Sequence, residues 1–133
     1  MSVRSLTVHM GYSVLAAEDV AATPDRPCLQ RALGDAAGVE NLAVNRYTAE
    51  PGEQVPLAYH YHDDQEELFY VLEGELAVET PEGTYGVGTD ELFVAEPESP
   101  HRAHNPADAT GPVRVLAVGA PVADDAHPYE PDE

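Results

Sequence analysis

The sequence predicts an all-β domain, an antiparallel sandwich or barrel. From residue 41 onward the chain is a succession of short apolar or alternating runs. Nearly every run is closed by glycine or proline, of which there are 10 and 12. Many short strands with frequent Gly and Pro turns are the signature of that class. The 43% of apolar residues, gathered in clear runs, argues against a disordered acidic chain. At 133 residues the chain is long enough for one domain with a single core.

Residues 1–40 are expected to form an N-terminal arm. Within it, Tyr12 to Leu15 suits a short edge strand, Ala16 to Ala22 a single helical turn, and Thr23-Pro24-Asp25-Arg26-Pro27 a break. Leu29, Ala32, Leu33, Ala36 and Ala37 fit a helical stripe, but Gly34 interrupts it. A strand over Cys28 to Leu33 followed by a loop is the expectation. Residues 41–120 should form the barrel, with strands at Leu42–Thr48, Val55–His62 (broken at Pro56), Glu67–Glu73, Glu75–Thr80, Thr84–Val87, Leu92–Ala95, His101–His104 and Val113–Gly119. Residues 121–133 are acidic and proline-rich and suit an extended tail.

Side chains alternate faces along a strand. If His60 and His62 point inward, Tyr59 and Tyr61 point outward. In the following strand Glu67, Phe69 and Val71 share one face and Leu68, Tyr70 and Leu72 the other. Both faces are apolar, so both should be covered, one by the barrel interior and the other by the arm or a second subunit. A homodimer is the expectation that follows.

Charge excludes several partners. The chain has 25 Asp plus Glu, 6 arginines and no lysine, for a formal net charge of -19. Nucleic acid and anionic membrane surfaces are therefore not expected partners. The composition resembles that of proteins from halophilic, salt-in organisms, in which salt screens carboxylate repulsion. Ordinary acidity for solubility is the plainer alternative. Cys28 stands alone, so no disulfide forms within the chain, and a small buried hydrophobe is a better reading than a catalytic thiol. No N-terminal apolar stretch suits a signal peptide or a membrane span, and a cytoplasmic location is expected.

The chemistry concentrates in His60-Tyr61-His62-Asp63-Asp64-Gln65-Glu66-Glu67. Two histidines on one strand face, with a carboxylate beyond a short polar turn, are good ligands for a divalent metal. Taken singly, the His-x-His pair and the carboxylate are weak signals in so acidic a chain. Together they resemble the first motif of the cupin superfamily, in which His-x-His, a glutamate and a glycine recur at set spacing. His60, His62, Glu67 and Gly74 fit with four and six intervening residues, and that spacing selects Glu67 over Glu66. The second cupin motif is matched by Gly88, Pro97, Pro100, His101 and Asn105, and the resemblance covers residues 42–119. Gly52 lies two residues further from His60 than the usual pattern, and Glu96-Pro97-Glu98 lacks the glycine of the usual Pro-x-Gly.

The resemblance implies a double-stranded β-helix, or jelly-roll barrel. It also implies one divalent transition metal held by His60, His62, Glu67 and His101, with Fe, Mn, Ni, Zn and Cu not distinguished. Four protein ligands on a six-coordinate metal leave two positions for a small molecule or dioxygen. Dioxygenase-like or isomerase-like chemistry is then expected, against a non-catalytic binding or sensor module, or a barrel with a vestigial site. His104 should face away from His101, as should Arg102. His9 and His127 should be solvated, Asp63-Asp64 a solvated turn, and Tyr47, Tyr59, Tyr61 and Tyr70 packing residues. Arg31 and Arg46 could reach a pocket, but there is no clear inward cationic cluster for a phosphorylated substrate.

The salt-adapted reading has a direct check. The melting temperature should rise steeply with KCl into the molar range, as followed by circular dichroism. A flat response removes that reading.

Overall fold

A computed structural model describes residues 7–9 and 11–131. The arm opens with a hairpin, β1 (Thr7–His9) and β2 (Tyr12–Val14), turning at Gly11 with φ of +80°. The side chain of His9 lies outside the described residues. One 3₁₀ turn follows at Ala17–Asp19, where a helical turn is expected. Then β3 (Leu29–Ala32) leads directly into a one-turn helix, α1 (Leu33–Ala37), closed by Gly38 in the left-handed conformation. The segment after Leu33 is therefore helical and not a loop. The ambiguity at residues 28–38 resolves as a division, with strand before Leu33 and helix after it. Gly34 fits because it packs against Val44, whose backbone nitrogen would lie 3.0 Å from an added Cβ.

The barrel is built from β4 (Ala43–Ala49), β5 (Gln54–His62), β6 (Glu66–Glu73), β7 (Leu76–Thr80), β8 (Gly83–Val87), β9 (Leu92–Ala95), β10 (His101–His104), β11 (Val113–Ala120) and β12 (Ala126–Pro128). Together with β3 they form two five-stranded antiparallel sheets, ordered β12-β5-β10-β7-β8 and β3-β4-β11-β6-β9. Facing sheets pack about 10 Å apart, with inward side chains filling the gap. Strand alternation supplies that filling: Phe69 and Val71 of β6, Leu76 and Val78 of β7, and Val113 and Val115 of β11 are all fully buried. Tyr47 and Cys28 join the same cluster. Burial pushes the Cys28 thiol up to about 12, aided by Glu53, so it remains an unreactive protonated packing group.

Strand β5 runs through Pro56 without a break, contrary to the expected interruption. Proline has no N–H to give a ladder. Here the β5–β10 pairing jumps from Val55–Ala103 to His60–His101, and Pro56 falls inside the skipped stretch. Residues 121–131 hold more structure than an extended tail. Strand β12 pairs Ala126, His127 and Pro128 with His62, Tyr61 and His60, adding an edge to β5. Tyr129 extends the contact, its N–H donating to the Tyr59 carbonyl and its ring 4.9 Å from the Tyr59 ring.

Two motif positions have backbone explanations. Gly74 turns β6 into β7 with φ of +85°, and a Cβ there would meet the Pro112 carbonyl oxygen at 2.6 Å. Glu98 occupies the place of the usual glycine yet adopts φ of +68° regardless. Its N–H donates to the His62 carbonyl at 2.6 Å, which holds the loop against β5 despite the side chain. Asn105 is buried, and its amide donates to the Ala49 and Gly111 carbonyls, fastening the end of β10 to β4 and to the loop before β11. Among the described residues no helix is long and apolar enough to cross a membrane.

Gly74→Ala combines a disfavoured φ with a backbone collision. It should destabilise the fold by about 2–4 kcal/mol, read as a lower urea midpoint at unchanged slope.

Candidate metal centre

The four residues singled out in the two motifs are brought to one place by three strands. His60 and His62 are inward on β5, two residues apart. His101 opens β10 and is the direct cross-strand partner of His60, with ring centroids 4.6 Å apart. Glu67 reaches in from β6 of the facing sheet, where its lateral neighbours are the small residues Gly119 and Ala95. Glu66, one position earlier, is exposed. Around Glu67 Oε1 stand His101 Nε2 at 2.9 Å, His62 Nε2 at 3.3 Å and His60 Nε2 at 3.6 Å. Ligand atoms of His60, Glu67 and His101 all lie within 4.8 Å of one another; the fourth expected ligand, His62, approaches Glu67 but falls outside that group.

The other nitrogen of each ring is already committed. His60 Nδ1 donates to the Ala58 carbonyl at 2.7 Å, and His101 Nδ1 donates to the Ser99 carbonyl at 2.9 Å. His62 Nδ1 donates to Asp125 Oδ1 at 2.9 Å. Carbonyls and ionised carboxylates only accept, so each partner fixes a proton on Nδ1; in the neutral ring His60 and His62 thereby turn an Nε2 lone pair inward, while His101 Nε2 is hydrogen-bonded to Glu67 Oε1 at 2.9 Å. The Nε2 atoms of His60 and His62 are buried and have no hydrogen-bond partner. Several lone pairs aimed at one carboxylate oxygen are mutually repulsive unless a positive charge lies among them. This donor set is chemically suited to a divalent transition metal.

Electrostatics follow from that crowding. Burial pushes the Glu67 carboxyl up, but without a metal the neighbouring histidines outweigh it, His101 first through its hydrogen bond to Oε1, and hold the group well below the usual carboxylate range. The Glu67 carboxylate raises the His62 pKa above its ordinary value; burial opposes this and Asp125 adds to it. Asp125 itself is brought down to about 2: burial works against its charge, but the Asp64 N–H, the His62 ring and the Gln65 N–H prevail. Its Oδ2 accepts from Asp64 N at 2.7 Å and Gln65 N at 3.1 Å.

Asp125 is the site residue that sequence reasoning missed. It belongs to the acidic final segment, one carboxylate among 25 acidic residues, and no spacing rule links it to His62. Other expectations hold in their details. Arg102 points outward to Gln54 and Glu79, and His104 lies beside it on that outer face. Arg46 reaches Glu18 and Arg31 the Val20 carbonyl, so neither approaches the histidines. His127 and Asp63, expected to be solvated, are both exposed and lie 2.7 Å apart, tying the final segment to the turn after β5.

A cleft of about 650 Å³ lies beside His101, between the free edges of β8 and β9. It is lined by Tyr85, Leu92, Phe93 and the 96–100 loop, with Phe93 6.2 Å from the His101 ring.

Comparison with known proteins agrees with the fold. Residues 45–119 match the cupin domain, more than half of the chain, and the protein belongs to the cupin family. A search of curated proteins returns no match. Among solved structures, the chain is 28% identical to a sugar phosphate isomerase of the cupin superfamily from Silicibacter pomeroyi, with a TM-score of 0.65 over 72% of this chain and 60% of that one. The present chain thus spans 60% of that protein's length, less than two thirds. It is 21% identical to the polyketide cyclase RemF from Streptomyces resistomycificus, with a TM-score of 0.73 over 90% and 87% of the two chains. A cupin protein from Bacteroides fragilis is 16% identical, with a TM-score of 0.66 over 90% and 91%. The last two likenesses show the shared fold alone.

Removing the Asp125 carboxylate should lower the His62 pKa. In the metal-free protein, an NMR titration of the imidazole Cε1–H signals should show this shift in Asp125→Ala. A raised folded-state pKa contributes stability that is present below the unfolded value and is lost as pH rises through the folded one. The variant should therefore lose part of its advantage at mildly acidic pH, and an unmoved His62 titration would contradict the assignment.

Proposed function

We propose that this cupin binds one divalent transition metal through His60, His62, Glu67 and His101 and uses it on a small molecule entering from the cleft beside His101. The single observation that carries the proposal is the pair of buried, partnerless Nε2 atoms of His60 and His62, facing the Glu67 oxygen with their protons fixed on the far side. When bound, the metal would supply Lewis acidity, polarising an oxygen of the ligand. The protein's own residues do the rest. Ala58, Ser99 and Asp125 hold the rings in the ligating tautomer. Phe69 and Phe93 flank the His101 ring and limit water around it.

For the reaction, the likeness to the Silicibacter pomeroyi sugar phosphate isomerase suggests an isomerase-like rearrangement, here of a ligand without a phosphate. A dioxygenase-like reaction is the other branch open to this ligand set. Metal analysis of untagged protein, grown with Fe, Mn, Ni, Zn and Cu, should find one equivalent per chain. His62→Ala should lose most of it, and Asp125→Ala should bind about 10–100-fold more weakly. Metal-free wild-type protein under all conditions would sink the proposal. Oxygen consumption with the loaded protein separates the two branches.

A further inference from the structure

The cleft beside His101 has a chemical character of its own. Its walls are Tyr85 from the β8 edge and Leu92 and Phe93 from the β9 edge. The Tyr85 and Phe93 rings lie 5.7 Å apart at 63°, and Phe93 lies 6.2 Å from His101 at 55°. A continuous aromatic surface therefore runs from the rim to the floor. Such surfaces take flat π systems edge-to-face or offset, and their ring faces attract cations. A volume of about 650 Å³ suits one small organic molecule.

The rim has one sign of charge. Glu82, Glu96 and Glu98 line the cleft, and among the described residues no arginine does. Arginines 31, 46, 102 and 114 are engaged elsewhere, with the Val20 carbonyl, Glu18, Glu79 and Glu73. Lysine is absent from the chain. A phosphate or carboxylate entering here would meet three like charges and find no guanidinium fork to receive it. A cleft lined by one sign also concentrates ligands of the other.

We infer that the cleft takes an uncharged or cationic aromatic molecule and turns away carboxylates and phosphates. This rests on the reading of the cleft as the approach to the metal centre. It narrows the ligand from any small molecule to one charge and shape class.

Three probes of matched size test it: tyramine (cationic), 4-ethylphenol (neutral) and 4-hydroxyphenylacetate (anionic). Binding to the full chain, metal-loaded and metal-free, is measured by calorimetry and ligand-observed NMR at low salt. Tyramine should bind at least about tenfold more tightly than 4-hydroxyphenylacetate, with 4-ethylphenol between them, and KCl should narrow the gap. The triple variant Glu82→Gln, Glu96→Gln, Glu98→Gln should shrink the gap to about threefold or less and leave 4-ethylphenol unchanged. The remote triple variant Asp19→Asn, Asp35→Asn, Glu40→Gln should leave the gap intact, which separates the rim from the overall charge. Phe93→Ala should weaken all three probes; Phe93→Leu, which keeps most of the volume, should weaken tyramine most.

Equal or tighter binding of 4-hydroxyphenylacetate, an identical effect of both triple variants, or no binding of any probe overturns the inference. Metal content is determined on the same samples. Bound metal with the wrong probe order defeats the ligand class alone, and the right order without metal defeats the metal reading alone.

Discussion

The organisation of this protein depends on where three imidazole protons are held. Each histidine of the centre gives its Nδ1 proton to a fixed acceptor, and each therefore turns its Nε2 toward Glu67. Two of the acceptors are local carbonyls, two residues before the histidine they orient, at Ala58 and Ser99. Strand β5 supplies the first and the loop before β10 the second, without any further side chain. His62 has no such carbonyl partner and takes a carboxylate from 63 residues away. One ring of the three is thus oriented by long-range folding and the other two by their own local backbone.

The rest of the sandwich makes this crowding tolerable. Glu67 comes from the opposite sheet, so its carboxylate approaches the imidazoles across the interlayer gap. Gly119 and Ala95 beside it leave the lateral space that larger residues would fill. Gln65 lies over Gly119 so closely that an added Cβ would meet it at 2.6 Å, and its amide donates to the Pro121 carbonyl. Beneath the centre, Phe69 and the valines of β6, β7 and β11 form a rigid apolar floor. Close-packed interiors resist displacement, which lets a polar cluster keep its geometry.

Much of this was legible in the sequence because strand periodicity and motif spacing are local signals. The inward faces of β5 and β6 followed from alternation, and Glu67 was separated from Glu66 by spacing that matches the structural difference in burial. Two kinds of information were not legible. Pairing defects were one: Pro56 looked like a break because nothing in the chain announces that the β10 ladder skips it. Long-range partners of common residue types were the other. Asp125 is indistinguishable from its neighbours until β12 lies along β5. Glu98 is a milder case, since the loop keeps the glycine-like backbone without the glycine.

The cleft beside His101 is bounded by β8 and β9, the outermost strands of their sheets on that side. Access has therefore been obtained by leaving two ladders unfinished. An unfinished ladder is also a template on which another chain can add a strand. Leu92, Val94 and Tyr85 are about half-exposed along these edges, which strengthens that hazard. Glu91 and Glu96 bracket β9, and Glu82 precedes β8. Acidic residues flanking apolar edges act as gatekeepers against such association. The colloidal behaviour of the protein and the openness of its cleft are consequently governed by overlapping carboxylates, so that neutralising the rim would expose a sheet edge to self-assembly.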